Sequence, residues 1–412
     1  MKLLLFSHFY LPEQIAGAFR AGENARLWAQ SGHDVTVFTG YPNYPVGKIF
    51  DSYEPNLLTE EYLDGVRVLR SKIIAKPNTN MIRRIINALS FFGFGLANFA
   101  LNRNKIGKGY DVILGTSGPV FAAMLGWIFS FFARKPFVFE IRDITYRQMI
   151  ATGKTANSFS VKLMRFLELF LAKRARSIVV VTHGFKEVLV ADGIPANKIH
   201  VITNGVDVNF NPEGQPSIHA DKLILSYFGT LGISQNITDT FVYADELAKQ
   251  CKNFTYLIIG EGAQRAQIEE YVDGGTMPYL QLMRGMTAQE LEPYYQESLL
   301  SLICLRKSDN FRYTIPSKLF QVMGRGIAVL FIGPDGETAE IVRKNHAGIV
   351  LCGSVEDNIK VLRDFFSKDD WEHKLINMGK NGAKAVQASY TRTTLSQEYE
   401  KVLIDVIQQH KT

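Results

Sequence analysis

The sequence predicts an α/β protein made of two doubly wound, Rossmann-like domains in tandem. Three observations predict it. Short β-branched and aromatic runs alternate with longer helix-like stretches along nearly all of the 412 residues. Several of these runs are continuously apolar, as parallel strands covered on both faces must be. The length suits two domains at roughly 100–200 residues each.

The first series of strands is expected at Leu3–Phe6, Asp34–Phe38, Val66–Leu69, Val112–Leu114, Phe137–Ile141, Ile178–Val181 and His200–Ile202. A second series follows at Leu223–Tyr227, Tyr256–Ile259, Tyr279–Leu282, Leu300–Cys304, Ile327–Phe331 and Ile349–Leu351. Between the series lie Asn204-Gly205-Val206-Asp207 and the polar, proline-containing stretch Asn211–Pro216, which reads as a linker. The domains are therefore expected at 1–205 and 206–389, with a helix over about 390–412 returning to the first. Open α/β sheets bind ligands outside the carboxyl ends of their strands, so the active site is expected in the cleft between the domains.

Composition removes several function classes. A chain that is 46% hydrophobic and 21% charged is folded, not disordered. Cys251, Cys304 and Cys352 are too scattered for a zinc site, a redox pair or a disulfide framework, which fits a reducing cytoplasm. Met1–Phe6 is too short an apolar run for a signal peptide and reads as a buried strand. No phosphate-binding P-loop, HExxH helix, DxD-like acidic cluster or GxSxG elbow occurs, and no metal is implied.

Charge is unevenly divided, +11 in residues 1–204 against −5 in 205–412. Nucleic acid and an anionic membrane would both account for a basic half. No RNA-binding signature is present, and the basic half contains two greasy stretches, Met81–Asn102 and Pro119–Ala133. Arg83, Arg84, Asn87, Ser90 and Asn98 argue against the first spanning a membrane, and the second is too short. The open readings are interfacial contact, with Phe91, Phe92, Phe94 and Phe99 beside basic residues, or helices that cover a sheet.

The chemistry lies at strand-to-helix corners. Gly229 and Gly232 follow the first strand of the second half, and Gly260-Glu261-Gly262 follows the next. Glycines there let backbone N–H groups approach a phosphate, although each is alternatively a simple turn. In Thr314–Gly326, Pro316 suits a first helical turn with Ser317 and Lys318 at its mouth, and Lys318 and Gln321 share a face. A cation and an amide so placed would hold a diphosphate and a sugar diol; an ordinary amphipathic helix is the rival reading.

Taken in order, these motifs resemble the GT-B fold retaining glycosyltransferases of family four. Within that family they are similar to the transferases of O-antigen and capsule assembly that handle N-acetylfucosamine and related sugars. The resemblance rests on Phe9-Tyr10-Leu11-Pro12-Glu13 with Gly17 and Arg20, Gly32-His33-Asp34, Tyr41-Pro42-Asn43-Tyr44-Pro45 and Glu140-Ile141-Arg142-Asp143. It continues through Asn204–Asp207, Gly229, Gly232, Gly260–Gly262, Pro316-Ser317-Lys318 and Glu337-Thr338-Ala339-Glu340, covering nearly the whole chain.

The resemblance implies transfer of a sugar from a UDP-sugar to a lipid-diphosphate-linked saccharide, with retention, without cofactor or metal. It places the protein at the inner face of the cell membrane, on anionic lipid and with no nucleic acid partner. It assigns Asp143 and Lys318 to catalysis, and Gly17, Arg20 and Arg142 to the acceptor side. Gly229, Gly232, Gly260, Gly262, Arg306, Arg312, Tyr313, Ser317, Gln321 and Glu340 fall to the donor nucleotide.

Two family glutamates are replaced here by Tyr313 and Gln321, and Thr230–Asn236 lacks the usual diphosphate-binding cations, leaving Lys318, Arg306 and Arg312 as candidates. An amide at 321 still meets both ribose hydroxyls, less strongly than a carboxylate. Asp143 suits either the reacting sugar or an N-cap of the next helix. A sugar-nucleotide epimerase using carboxylates such as Asp143 and Glu337, and a catalytically silent GT-B membrane scaffold, remain open at this point.

Overall fold

The computed structural model describes residues 1–77, 81–151, 154–207, 222–232 and 235–411. The expected linker Asn211–Pro216 lies outside them. The chain divides into two compact units, one of Met1–Asn204 with Leu395–Thr412, the other of Gly205–Thr394.

The first unit holds β1 (Lys2–Phe6), β2 (Asp34–Gly40), β3 (Leu58–Leu63), β4 (Val66–Ser71), β5 (Val112–Thr116), β6 (Phe137–Ile141), β7 (Ser177–Val180) and β8 (Ile199–Val201). They form one sheet in the order β3-β4-β2-β1-β5-β6-β7-β8. All pairs are parallel except β3 with β4. The order reverses between β1 and β5, so the loops after those strands flank the point where such sheets bind ligands.

β3 is absent from the sequence expectation. Leu58–Leu63 reads Leu-Thr-Glu-Glu-Tyr-Leu with only Leu58 buried, and Asp64-Gly65 turns it back onto β4 with both residues at positive φ (50° and 80°). That Asp-Gly pair is a tight hairpin signal that the search for buried parallel strands passes over.

The helix Met81–Leu101 packs on this sheet with its polar side inward. Asn98 is fully buried and donates through Nδ2 to Leu57 O (2.9 Å) and Ser71 Oγ (3.0 Å). Asn87 Nδ2 donates to Asn43 Oδ1 at 2.9 Å, and Asn87 Oδ1 lies 3.0 Å from His8 Nε2. Asn43 N and Tyr44 N in turn donate to the buried Glu13 carboxylate at 2.9 and 3.0 Å. Because Asn87 spends its N–H on Asn43, the His8 ring is the donor of the pair. Burial pulls the His8 pKa down to about 4, so the ring is neutral at physiological pH.

The outward face carries Ile82, Ile85, Ile86, Leu89 and Leu96, all exposed, at helical spacing. This corrects the expectation that Phe91, Phe94 and Phe99 form the greasy surface. Phe91 is fully buried edge-on against His8, Phe99 packs against Phe6, Phe38 and Phe129, and Phe94 is half-buried under Lys72. Ile82–Leu101 is long and apolar enough to cross a membrane. Its hydrogen bonds to Leu57, Ser71 and Asn43 hold it along the sheet instead.

Residues from the other end of the chain complete this core. Tyr399, Leu403 and Val406 of helix Arg392–Lys411 are buried with Trp28. Trp28 meets the Tyr399 ring edge-on at 5.2 Å and donates through Nε1 to Ser396 O.

The second unit holds β9 (Lys222–Phe228), β10 (Asn253–Ile259), β11 (Leu280–Met283), β12 (Leu300–Cys304), β13 (Ala328–Ile332) and β14 (Gly348–Leu351). Their order is β11-β10-β9-β12-β13-β14, every pair parallel, with reversal between β9 and β12. An α/β chain with two Rossmann-like sheets is thus the observed architecture, as expected.

The inverted helix yields one test. Asn87→Ala strands the partners on Asn43 and His8 in a buried setting, at about 1–3 kcal/mol for each group left unsatisfied. We expect a loss of about 2 kcal/mol or more in urea unfolding; a change below about 0.5 kcal/mol contradicts the role given to Asn87.

Candidate functional site

At the reversal point of the second unit, the loop after β9 is laced to the loop after β10. Gly229 N donates to Ile259 O, Leu231 N to Glu261 O and Gln264 N to Leu231 O, at 2.8–3.0 Å. A Cβ on Gly260 would lie 1.9 Å from Gly229 O, and one on Gly262 2.4 Å from Leu231 O. The neighbouring loop therefore requires glycine at both positions, whatever else approaches them. The lacing leaves Gly229 and Thr230 exposed at the rim.

Lys318 sits in the first turn of helix Ser317–Gly324, which Pro316 opens. Its Nζ donates to Tyr227 Oη at 2.5 Å and lies 3.9 Å from that ring's centre, while Tyr227 Oη donates to Thr230 O at 2.7 Å. The ammonium is therefore pinned beside Gly229, where any Cβ would come within 3.3 Å of it. No carboxylate pairs with Lys318 among the described residues. Burial lowers its pKa to about 8, so it is charged but poorly compensated near neutrality. Such a cation, beside exposed loop backbone and a helix N-terminus, suits an anionic oxygen.

One turn on, Gln321 Oε1 accepts from Tyr295 Oη at 3.5 Å. Arg325 stacks on the Tyr295 ring at 4.2 Å and pairs with Glu292 at 2.9 Å, bracing the same face. Gly232 borders Gln235, whose Oε1 a Cβ there would meet at 2.6 Å. Arg312 donates through Nε to Asp335 O and accepts Glu337 N on its carbonyl, which ties two loops together. The Arg312 side chain is otherwise exposed. Arg306, Ser317 and Glu340 are exposed and Tyr313 half-buried. Among the described residues, none of these four makes a bond to the Lys318 group.

The first unit places a second group at its own reversal point. The Arg142 guanidinium lies between two glycines: a Cβ on Gly17 would come 2.4 Å from Nη1, and one on Gly118 2.9 Å from Nη2. Arg142 Nη1 is buried without a hydrogen-bond partner, and Glu140, the nearest compensating charge, is already engaged by Arg20 at 2.8 Å. Burial holds the Arg142 pKa below its ordinary value, against the pull of Glu140. Arg20 donates also to Ile202 O, Thr203 O and Asn204 Oδ1. These bonds make Arg20 a tie between β6 and the end of the first unit.

Asp143 follows β6 and accepts from Gln148 Nε2 at 2.7 Å. Burial raises its carboxyl pKa, partly offset by Arg142. It does not cap the next helix, because Thr145 N and Tyr146 N donate to the buried Glu168 carboxylate at 3.0 and 3.4 Å. Glu168 thus frees Asp143 for other work. Sequence reasoning missed Glu168 and Tyr227: a carboxylate 23 residues downstream leaves no local capping signal, and Tyr227 is 91 residues from the lysine it holds.

Residues 17–205 match the family model described as a glycosyl transferase 4-like domain. Over 369 residues the chain is 21% identical to WcaI of Escherichia coli strain K12, named for a role in colanic acid biosynthesis as a glycosyl transferase; the match covers 85% of this chain and 88% of WcaI. Among solved structures, sucrose-phosphate synthase from Thermosynechococcus elongatus aligns with a TM-score of 0.70 at 17% identity, over 99% of this chain and all of that one. HepE of Anabaena, solved in complex with UDP, gives 0.64 at 14% over 98% and 100%. The lipopolysaccharide outer core galactosyltransferase WaaB gives 0.64 at 12% over 98% and 99%. The fold is of the GT-B type, and with its glycosyl transferase 4-like domain the chain is a glycosyltransferase.

The burial of Glu168 predicts a pH signature, against the pull of its bonds from Thr145 and Tyr146. Burial raises its pKa to about 7, against about 4.3 in an unfolded chain. Between those values the folded protein keeps a proton that the unfolded chain has lost, so this group's contribution falls as pH rises through about 7. Glu168→Gln has no such proton. The melting temperature of wild type minus variant should be larger at pH 5 than at pH 8, and a pH-independent difference refutes the raised pKa of this buried carboxyl.

Proposed function

We propose that this glycosyltransferase moves a sugar from UDP onto a lipid-diphosphate-linked saccharide during assembly of a bacterial surface glycan, with retention at the anomeric carbon. The observation that carries the donor half is the uncompensated Lys318 ammonium pinned by Tyr227 beside exposed Gly229. In this reading Lys318, the Gly229–Thr230 backbone and the start of helix Ser317–Gly324 meet the diphosphate and stabilise the charge that develops as it leaves. Gln321, braced by Tyr295, faces the ribose diol. The departing phosphate oxygen takes the acceptor hydroxyl's proton on the same face of the sugar. Asp143 orients the reacting sugar, and Arg142 with Gly17 receives the acceptor. N-acetylfucosamine is the donor sugar we favour. Relatives named for colanic acid and lipopolysaccharide synthesis, and one solved with UDP, support the substrate class.

The acceptor half is carried by the outward stripe of helix Met81–Leu101. A row of exposed Ile and Leu on the basic unit suits insertion among anionic headgroups, each side chain contributing about 1.5–3 kcal/mol if fully buried. In this reading the enzyme sits peripherally at the inner face of the cell membrane.

The direct test is a mass-spectrometric screen of UDP-sugars against lipid-diphosphate saccharides for one added sugar; release of UDP with no acceptor product, or epimerised donor, contradicts the proposal. For the site, Lys318→Ala should weaken UDP at least tenfold in calorimetry, whereas Asp143→Asn should suppress turnover and leave UDP affinity within about twofold. Equal UDP affinity in the first variant, or near-normal turnover in the second, removes that residue from the site. For the membrane, Ile85→Ser/Leu89→Ser should release the folded protein from anionic vesicles in cosedimentation; binding equal to wild type moves the contact elsewhere.

A further inference from the structure

At the carboxyl ends of helices Met81–Leu101 and Val120–Ala133, the first unit contains a cavity of about 540 Å³. That volume lies within the roughly 300–1,000 Å³ usual for small-ligand sites. Its walls are apolar, with Phe99 and Phe129 in contact at 5.2 Å between ring centres and Phe132 standing 75% exposed at the rim. Three cations, Arg103, Lys108 and Lys135, also line it, and no acidic residue does. Among the described residues none of the three has a carboxylate partner. The floor is rigid: Tyr110 Oη donates to Ile106 O at 2.5 Å, and Arg67 holds the carbonyls of Lys105 and Ile106.

We propose that this cavity binds one molecule of an anionic phospholipid, its phosphate among Arg103, Lys108 and Lys135 and one acyl chain along Phe99, Phe129 and Phe132. Charge complementarity selects the headgroup, because three unpaired cations round an apolar slot match a ligand that is anionic at one end and greasy along its length. The location excludes the reacting acceptor. Tyr110 and Lys135 precede β5 and β6, whereas Gly118 and Asp143 follow them, so the cavity and the reaction lie at opposite ends of strands five residues, roughly 16 Å, long. The lipid is therefore a tenant of the fold and not a substrate. It anchors the enzyme or senses the charge of the surrounding membrane.

The proposal rests on the reading of this face as turned toward a membrane, since Leu96 and Ala100 line the cavity on the helix that carries the outward stripe. The full chain would be titrated calorimetrically with short-chain phosphatidylglycerol below its micelle concentration, with matching phosphatidylcholine and glycerol phosphate as comparisons. Expected are one site per chain, at least tenfold weaker phosphatidylcholine and no glycerol phosphate binding. Ala100→Trp, which fills the cavity, should abolish binding, and Arg103→Gln/Lys135→Gln should weaken it about tenfold, with melting temperature confirming each fold. No wild-type binding, equal binding of glycerol phosphate, or indifference to both variants overturns the proposal. The Ile85→Ser/Leu89→Ser protein separates the two readings: it should lose vesicle cosedimentation yet keep the short-chain lipid. If it keeps both, the stripe reading fails while the cavity assignment stands.

Discussion

A buried string of hydrogen bonds, from Glu13 through Asn43 and Asn87 to His8, decides which way helix Met81–Leu101 faces. Asn98, bonded to Leu57 and Ser71, fixes the other end of the same face. A helix with amides inward and Ile and Leu outward is upside down for a water-facing surface, and the desolvation of these five polar side chains is offset by the hydrogen bonds each makes, His8 through Nε2 alone. The exposed stripe follows from this constraint, and so does the cavity at the helix's carboxyl end. The loops after β1 and β2 are fixed by the same string, through Glu13.

The two reversal points share a design. Each presents a basic side chain whose charge the protein leaves partly unanswered, Lys318 in one unit and Arg142 in the other, and each fits that side chain against glycine backbone. An unanswered buried cation costs stability, which is tolerable where a bound anion supplies the missing partner. The remaining candidates sort themselves by the same test. Arg20, by contrast, spends Nε, Nη1 and Nη2 on protein acceptors.

Fold class was legible because parallel strands buried on both faces announce themselves as apolar runs, and thirteen of the fourteen strands were read within a few residues. The edge strand Leu58–Leu63 was not, since polar residues fill its centre and its one signal is the Asp64-Gly65 turn. At the site, Lys318 could be read from Pro316-Ser317-Lys318 because a proline-led first turn fixes where the lysine points. Its partner Tyr227, 91 residues away, could not be paired with it from sequence. The inverted helix was misread for a related reason. Phe is the more hydrophobic-looking residue, yet whether Phe or Ile faces outward depends on where the asparagines find acceptors, and those lie on distant loops.

The packing of helix Arg392–Lys411 against Trp28 sets an order of events during synthesis. Trp28 and Ser396 are 368 residues apart in sequence. At about 5–20 residues per second, the ribosome takes roughly 20–70 s to supply that partner. From Val201, where the last strand of the amino-terminal sheet is complete, until Ser396 is made, that sheet has the Trp28 side of its core open, and every strand of the second unit is synthesised in the meantime. The unit made first is thus the last to close, and the nascent chain carries an apolar opening that a holding chaperone would be well placed to cover.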